Sequence, residues 1–133
     1  MRLRSALAGL LIAAPALACD PGLPGGDAAR IEGQRYVLAW RPRPAPIRLG
    51  EFFALEIAVC ARDGASVPTM LRVDAQMPEH RHGMNYRPSV ARAGEGRFVA
   101  SGLLFHMPGR WELAFDLRAA EHGETLRASV TIP

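Results

Sequence analysis

Lysine is missing from this chain: all 16 of its basic residues are arginine. That removes Schiff-base and lysine general-base chemistry, and the bias reads as genome composition rather than a demand for guanidinium groups. Serine is scarce too. The five serines include none in a nucleophile-elbow setting, and no histidine–carboxylate spacing suggests a catalytic pair, so no enzyme is expected. Beyond the first residues no apolar run approaches the ~18 residues of a membrane-spanning helix. Charge is weak as well, a net +3 over 133 residues. A chain of that length makes one domain with an adequate core.

What the chain does have begins with a leader. Met1-Arg2-Leu3-Arg4 is a positive start, residues 6–14 are an apolar run, and Ala16-Leu17-Ala18 is a small-x-small cleavage site. This three-part grammar is that of a secretory signal peptide over residues 1–18. Removing Arg2 and Arg4 takes the net charge from +3 to +1, which suits nucleic acid poorly as a partner. The expected location is the periplasm or the exterior.

Only two cysteines occur, Cys19 and Cys60, and both are expected in an oxidising compartment. Two readings of Cys19 stand open. One is a Cys19–Cys60 disulfide pinning the N-terminus to a strand, which adds a few kcal/mol through the unfolded state. The other is lipidation of Cys19 as first mature residue, which would anchor the protein to a membrane. Ala16 stands where lipoprotein signals usually carry a larger aliphatic residue.

Glycine and proline crowd residues 19–29, so 19–33 reads as an N-terminal tether. From residue 34 the chain reads as short strands between turn signals. Residues 36–40 form the first, which the prolines at 42, 44 and 46 then break, because proline cannot sit in a central strand. Phe53, Leu55, Ile57 and Val59 alternate with polar or small residues, as do Leu71, Val73, Ala75 and Met77. Residues 78–88 are a loop, residues 90–92 a short return strand and residues 98–105 the next. Residues 111–117 and the alternating Leu126, Ala128, Val130 and Ile132 complete the set. About seven short strands over 34–133, with no persuasive helix, predict an all-β, immunoglobulin-like antiparallel β-sandwich.

Three of the four histidines and three of the five methionines fall in two stretches. These are Met77-Pro78-Glu79-His80-Arg81-His82-Gly83-Met84 and His106-Met107-Pro108-Gly109. Counting strands puts both at the same end of the sandwich and His122 at the other. Imidazole suits copper, zinc, iron and nickel, and a thioether adds a soft ligand that singles out copper, above all Cu(I). An extended backbone would put His80, His82 and Met84 on one side, with Gly83 free to adopt conformations other residues resist. His80, His82 and Met84 are the first candidate ligands, then His106, then Met107 and Met77. Met77 also reads as core filler at the end of an apolar strand. Glu79 is a candidate to orient an imidazole or an ordinary loop carboxylate, and Arg81, Arg87 and Arg110 form a solvated rim. Imidazole must be unprotonated to bind, so metal affinity should fall as the medium acidifies.

The stretches Met77-Pro78-x-His80-x-His82-Gly83-Met84 and Phe105-His106-Met107-Pro108-Gly109-Arg110-Trp111-Glu112-Leu113, with Gly96-Arg97-Phe98 between them, resemble the YtkA-like domain family of exported bacterial proteins. The likeness covers residues 47–132. It implies an immunoglobulin-like sandwich, distantly similar to the CopC-like copper carriers, and an envelope role linked to copper handling. The chain lacks the N-terminal histidine of CopC-like sites, since the expected mature start is Cys19-Asp20. A Cu(I) site of His and Met is therefore favoured over a Cu(II) amino-terminal brace. The expected function is carrying or buffering copper, with a copper-accepting or envelope protein as partner. The alternative is a non-metal accessory domain that docks an envelope or membrane complex.

Overall fold

The computed structural model describes residues 19–133, and the expected signal peptide lies outside the described residues. The described residues form nine strands, the alternation of buried and exposed side chains being clearest in β4 and β8. They are β1 (Ala29–Glu32), β2 (Tyr36–Arg43), β3 (Phe52–Ala61), β4 (Met70–Met77), β5 (His82–Gly83), β6 (Ser89–Gly94), β7 (Arg97–Leu104), β8 (Gly109–Arg118) and β9 (Gly123–Ile132). One sheet has the order β1-β2-β3-β7-β6 and the other β5-β4-β8-β9. Every pairing is antiparallel. No helix among the described residues is long and apolar enough to cross a membrane.

Setting aside the two shortest strands, the sheets read β2-β3-β7-β6 and β4-β8-β9. Lettered A to G in chain order, those seven strands give A-B-E-D and C-F-G, the arrangement of an immunoglobulin constant-type sandwich. The facing residues make one core. Tyr36, Leu38 and Trp40 come from β2, Phe53, Leu55, Ile57 and Val59 from β3, and Trp111, Leu113, Phe115 and Leu117 from β8. Burying each large apolar side chain contributes about 1.5–3 kcal/mol.

Three segments depart from the sequence reading. β2 runs on through Pro42, which sits opposite Leu55 of β3. This is possible because β1 reaches along β2 only as far as Trp40. At Pro42 one side of the strand has no neighbour, so the missing N–H costs no ladder bond. Within the expected tether, Ala29–Glu32 pairs with β2 as an edge strand. The remaining tether residues lie as a strap along the outer face of the first sheet. Cys19 is disulfide-bonded to Cys60 of β3, with Cα atoms 5.9 Å apart. Arg30 donates to the Cys19 carbonyl at 3.1 Å, and Arg41 donates to that of Gly25 at 2.6 Å. A bonded Cys19 sulfur cannot also carry a lipid thioether, so the geometry is that of the bridge. Arg41 is buried, and Glu56 opposite it supplies the counter-charge. That ion pair holds the Glu56 carboxyl below its ordinary range.

The far end of the sandwich is held by Glu124 at the start of β9. Its carboxylate accepts the backbone N–H groups of Gln34, Arg35 and Tyr36 at 2.7, 3.0 and 3.1 Å. One charge thereby ties the second sheet to the β1–β2 turn of the first. Residue 33 must be glycine for this approach, because a Cβ there would come within 2.6 Å of both carboxylate oxygens. His122 belongs to this end, its Nε2 accepting the Ser66 N–H at 3.3 Å.

Two stability predictions follow from these ties. Glu124→Ala should destabilise the fold by about 1–2 kcal/mol, the value of charge-assisted bonds discounted for partial exposure. Urea unfolding measures this, and a loss below roughly 0.3 kcal/mol would contradict the clasp. The bridge closes a loop spanning 41 residues, so Cys60→Ser should cost about 2–4 kcal/mol in the same experiment.

Candidate metal site

β4 and β7 both run toward the same end of the sandwich, and there the two histidine–methionine stretches meet. After Met77 the chain turns at once, the His80 N–H donating to the Met77 carbonyl at 3.1 Å. Arg81 then takes φ 55°, a left-handed conformation that only a minority of non-glycine residues adopt. The reversal lets β5 return along β4, with His82 opposite Met77 and Gly83 opposite Gln76. A turn rather than an extended run therefore brings His80 beside His82, their ring centres 5.8 Å apart. The left-handed residue of this loop is Arg81, not Gly83. Glycine at 83 serves close approach, since a Cβ would lie 3.3 Å from the Ala75 carbonyl.

The second stretch comes up from β7 and reaches His82. The His82 and His106 ring centres are 5.3 Å apart. Trp111, fully buried at the start of β8, lies edge-on to both imidazoles at 6.0 and 5.5 Å. Its indole N–H donates to the Met107 carbonyl at 2.9 Å, and its ring stacks on Phe105 at 4.6 Å. Gly109 closes the turn with φ +122°, and a Cβ there would come 2.9 Å from the Met77 methyl. The chain can pass over Met77 only because residue 109 has no side chain.

The two central imidazoles differ in their hydrogen bonding. His82 Nδ1 lies 3.2 Å from the Gly83 carbonyl. A carbonyl only accepts, so Nδ1 is the donor in this bond, and in the neutral ring Nε2 then keeps the lone pair. His106 Nδ1 is shut off from solvent with no hydrogen-bond partner, and an unmet group of this kind costs about 1–3 kcal/mol. His80 is exposed, His82 and His106 half-buried. Met84 and Met107 are partly buried against the core edge, whereas Met77 is enclosed within the core. Five of the six candidates thus border the end of the sandwich, and Met77 serves as packing beneath them.

Two of the neighbouring charges are engaged with each other. Arg110 donates to Glu79 at 2.7 Å and to Ser129 at 3.2 Å, so Glu79 is occupied by a guanidinium rather than an imidazole. Among the described residues no group of three or more His, Cys, Asp or Glu is placed to hold a metal ion. Thioether donors lie outside that set. Trp111 is the residue that the histidine and methionine pattern did not single out. Its signal is the spacing of four from Met107, whose carbonyl its indole reaches. No family model, curated protein or solved structure matches the chain.

The Arg110 bond holds the Glu79 carboxyl below its ordinary value of 4.5. A carboxyl with a depressed folded pKa favours the fold above its unfolded pKa, and that contribution fades as pH falls through the folded one. In an NMR titration Glu79 should therefore titrate below 4.5, and Arg110→Ala should move it upward. An unchanged titration in Arg110→Ala would contradict the pairing.

Proposed function

We propose that this chain is an exported copper-binding protein that carries or buffers Cu(I) through a His/Met site at one end of its sandwich. The reading rests on His82 and His106, brought from different sheets to a ring separation of 5.3 Å. Two imidazoles on one ion, with metal–nitrogen bonds of about 2.0–2.1 Å, have ring centres roughly 5–6 Å apart. The donor chemistry fits. His82 has its Nε2 free, and His106 has a nitrogen with no partner. Met84 and Met107 supply the thioethers that select Cu(I) over harder ions. His80 stands outside as an exposed ligand, suited to exchange with an acceptor bearing a similar set. Copper is then cargo, passed by ligand exchange without bond-making catalysis.

The Cys19–Cys60 bridge supports an oxidising compartment such as the periplasm. The second reading, a non-metal accessory domain, is favoured by the absence of a His/Cys/Asp/Glu triad placed for metal among the described residues. On that reading the histidine loops are packing and docking surface.

A Cu(I) titration against a competing chromophoric chelator, with Zn(II) beside it, separates the two. The carrier reading expects tight one-to-one Cu(I) uptake and weaker Zn(II). His80→Ala/His82→Ala should abolish tight uptake while leaving the melting temperature within a few degrees of wild type, because neither ring is core. No competition by wild type for either metal would end the copper reading.

A further inference from the structure

The histidine end of the sandwich also carries most of the large exposed apolar side chains among the described residues. Leu49, Phe52 and Tyr86 are 45%, 57% and 49% exposed. Phe52 and Tyr86 pack edge to face, ring centres 5.1 Å apart. Tyr86 follows Met84 by two residues, and Phe52 opens β3. Gly50, between Leu49 and Phe52, donates to the Phe105 carbonyl at 2.9 Å, which fixes this loop beside His106. The paired aromatic rings, exposed at the end that carries the histidines, form an apolar patch. Such patches mark contact surfaces.

The unpaired charge at this end is mainly positive. Arg48, Arg81 and Arg87 are exposed and make no ion pair among the described residues. Glu51 is the uncommitted acid here, since Glu79 is held by Arg110. Arg35, Arg72 and Arg92 elsewhere are likewise exposed without an ion pair among the described residues, whereas Arg118 pairs with Asp116 and Arg127 with Glu112 on the outer face of the second sheet. Arg81 is fixed between His80 and His82, so its charge belongs to whatever approaches those rings.

We infer that this end docks a protein partner whose surface is acidic around an apolar centre, so that carboxylates meet Arg48, Arg81 and Arg87 while apolar side chains cover Phe52 and Tyr86. The inference deepens the copper reading and rests on it for what crosses the interface. An acceptor must bring its ligands to His80 and His82, and this is the surface it meets on the way. A lipid surface would meet the same cations, but it would lay hydrocarbon over the imidazoles that must exchange ligands.

The test is copper-free. Fluorescence anisotropy measures binding of the mature protein to a labelled peptide with Asp and Glu around a Leu-Met centre. The comparison is the same peptide with Lys in place of the acids. The acidic peptide should bind about tenfold tighter or more at low salt, and the preference should shrink as salt rises. Arg48→Glu/Arg81→Glu/Arg87→Glu should abolish or reverse it. Arg48→Glu/Arg87→Glu, which leaves the Arg81 turn untouched, should lose most of it. Phe52→Ser/Tyr86→Ser should weaken both peptides alike. Equal affinity for the two peptides, or an unchanged preference in the arginine variants, would overturn the inference. So would binding of phosphatidylglycerol vesicles without binding of the acidic peptide, which would assign the surface to a membrane. Arg48→Glu/Arg87→Glu should keep wild-type Cu(I) affinity. A protein that binds the acidic peptide but no copper loses the carrier reading and keeps the docking surface.

Discussion

Trp111 joins the core of this sandwich to its histidine loops. The indole is fully buried, stacked on Phe105 at 4.6 Å, with its N–H bonded to the Met107 carbonyl at 2.9 Å. Phe105 in turn packs edge-on against Phe53 of β3 at 5.0 Å. Displacing the tryptophan would break this part-buried hydrogen bond, besides forfeiting the largest fully buried side chain among the described residues. The loop carrying His106 is therefore held by core packing rather than by its own sequence. His82 is held on the other side by β5 pairing with β4. The separation between the two imidazoles is a consequence of how the sheets pack, and it is in place before any ligand arrives.

The opposite end is fastened by different means. Glu124 collects three backbone N–H groups there, and the Cys19–Cys60 bridge secures the strap along the first sheet. Neither touches the histidine end. Both ties thus lie away from the half-buried imidazoles and exposed aromatics of the histidine end, which depends on Trp111 instead.

Much of this was legible in the sequence because a half-buried strand alternates with period two. Leu71, Val73, Ala75 and Met77 announce both the strand and its inward face, and seven such segments give the sandwich. Strand parity alone brings His80, His82 and His106 to one end and sends His122 to the other. The short β1 and β5 were not legible, since four and two residues carry too little pattern. Their pairing depends on where β2 and β4 place free edges. Pro42 inside β2 was hidden for the same reason, as its tolerance depends on β1 stopping at Trp40. The left-handed turn at Arg81 follows from tertiary context and not from residue type, because Gly83 beside it is the residue that sequence would choose. Trp111 stood in the sequence only as the start of a strand and part of a shared stretch, because its role lies in a bond to a carbonyl and no side-chain motif records that.

Whether His82 and His106 share one ion is tested most directly by the imidazole nitrogen resonances of the mature protein, followed through a Cu(I) titration. The His82 and His106 signals should move together and saturate at one equivalent, while those of His122 at the opposite end stay still. Movement of His122 alongside them, or no movement of His82 and His106 up to one equivalent, would contradict a shared ion.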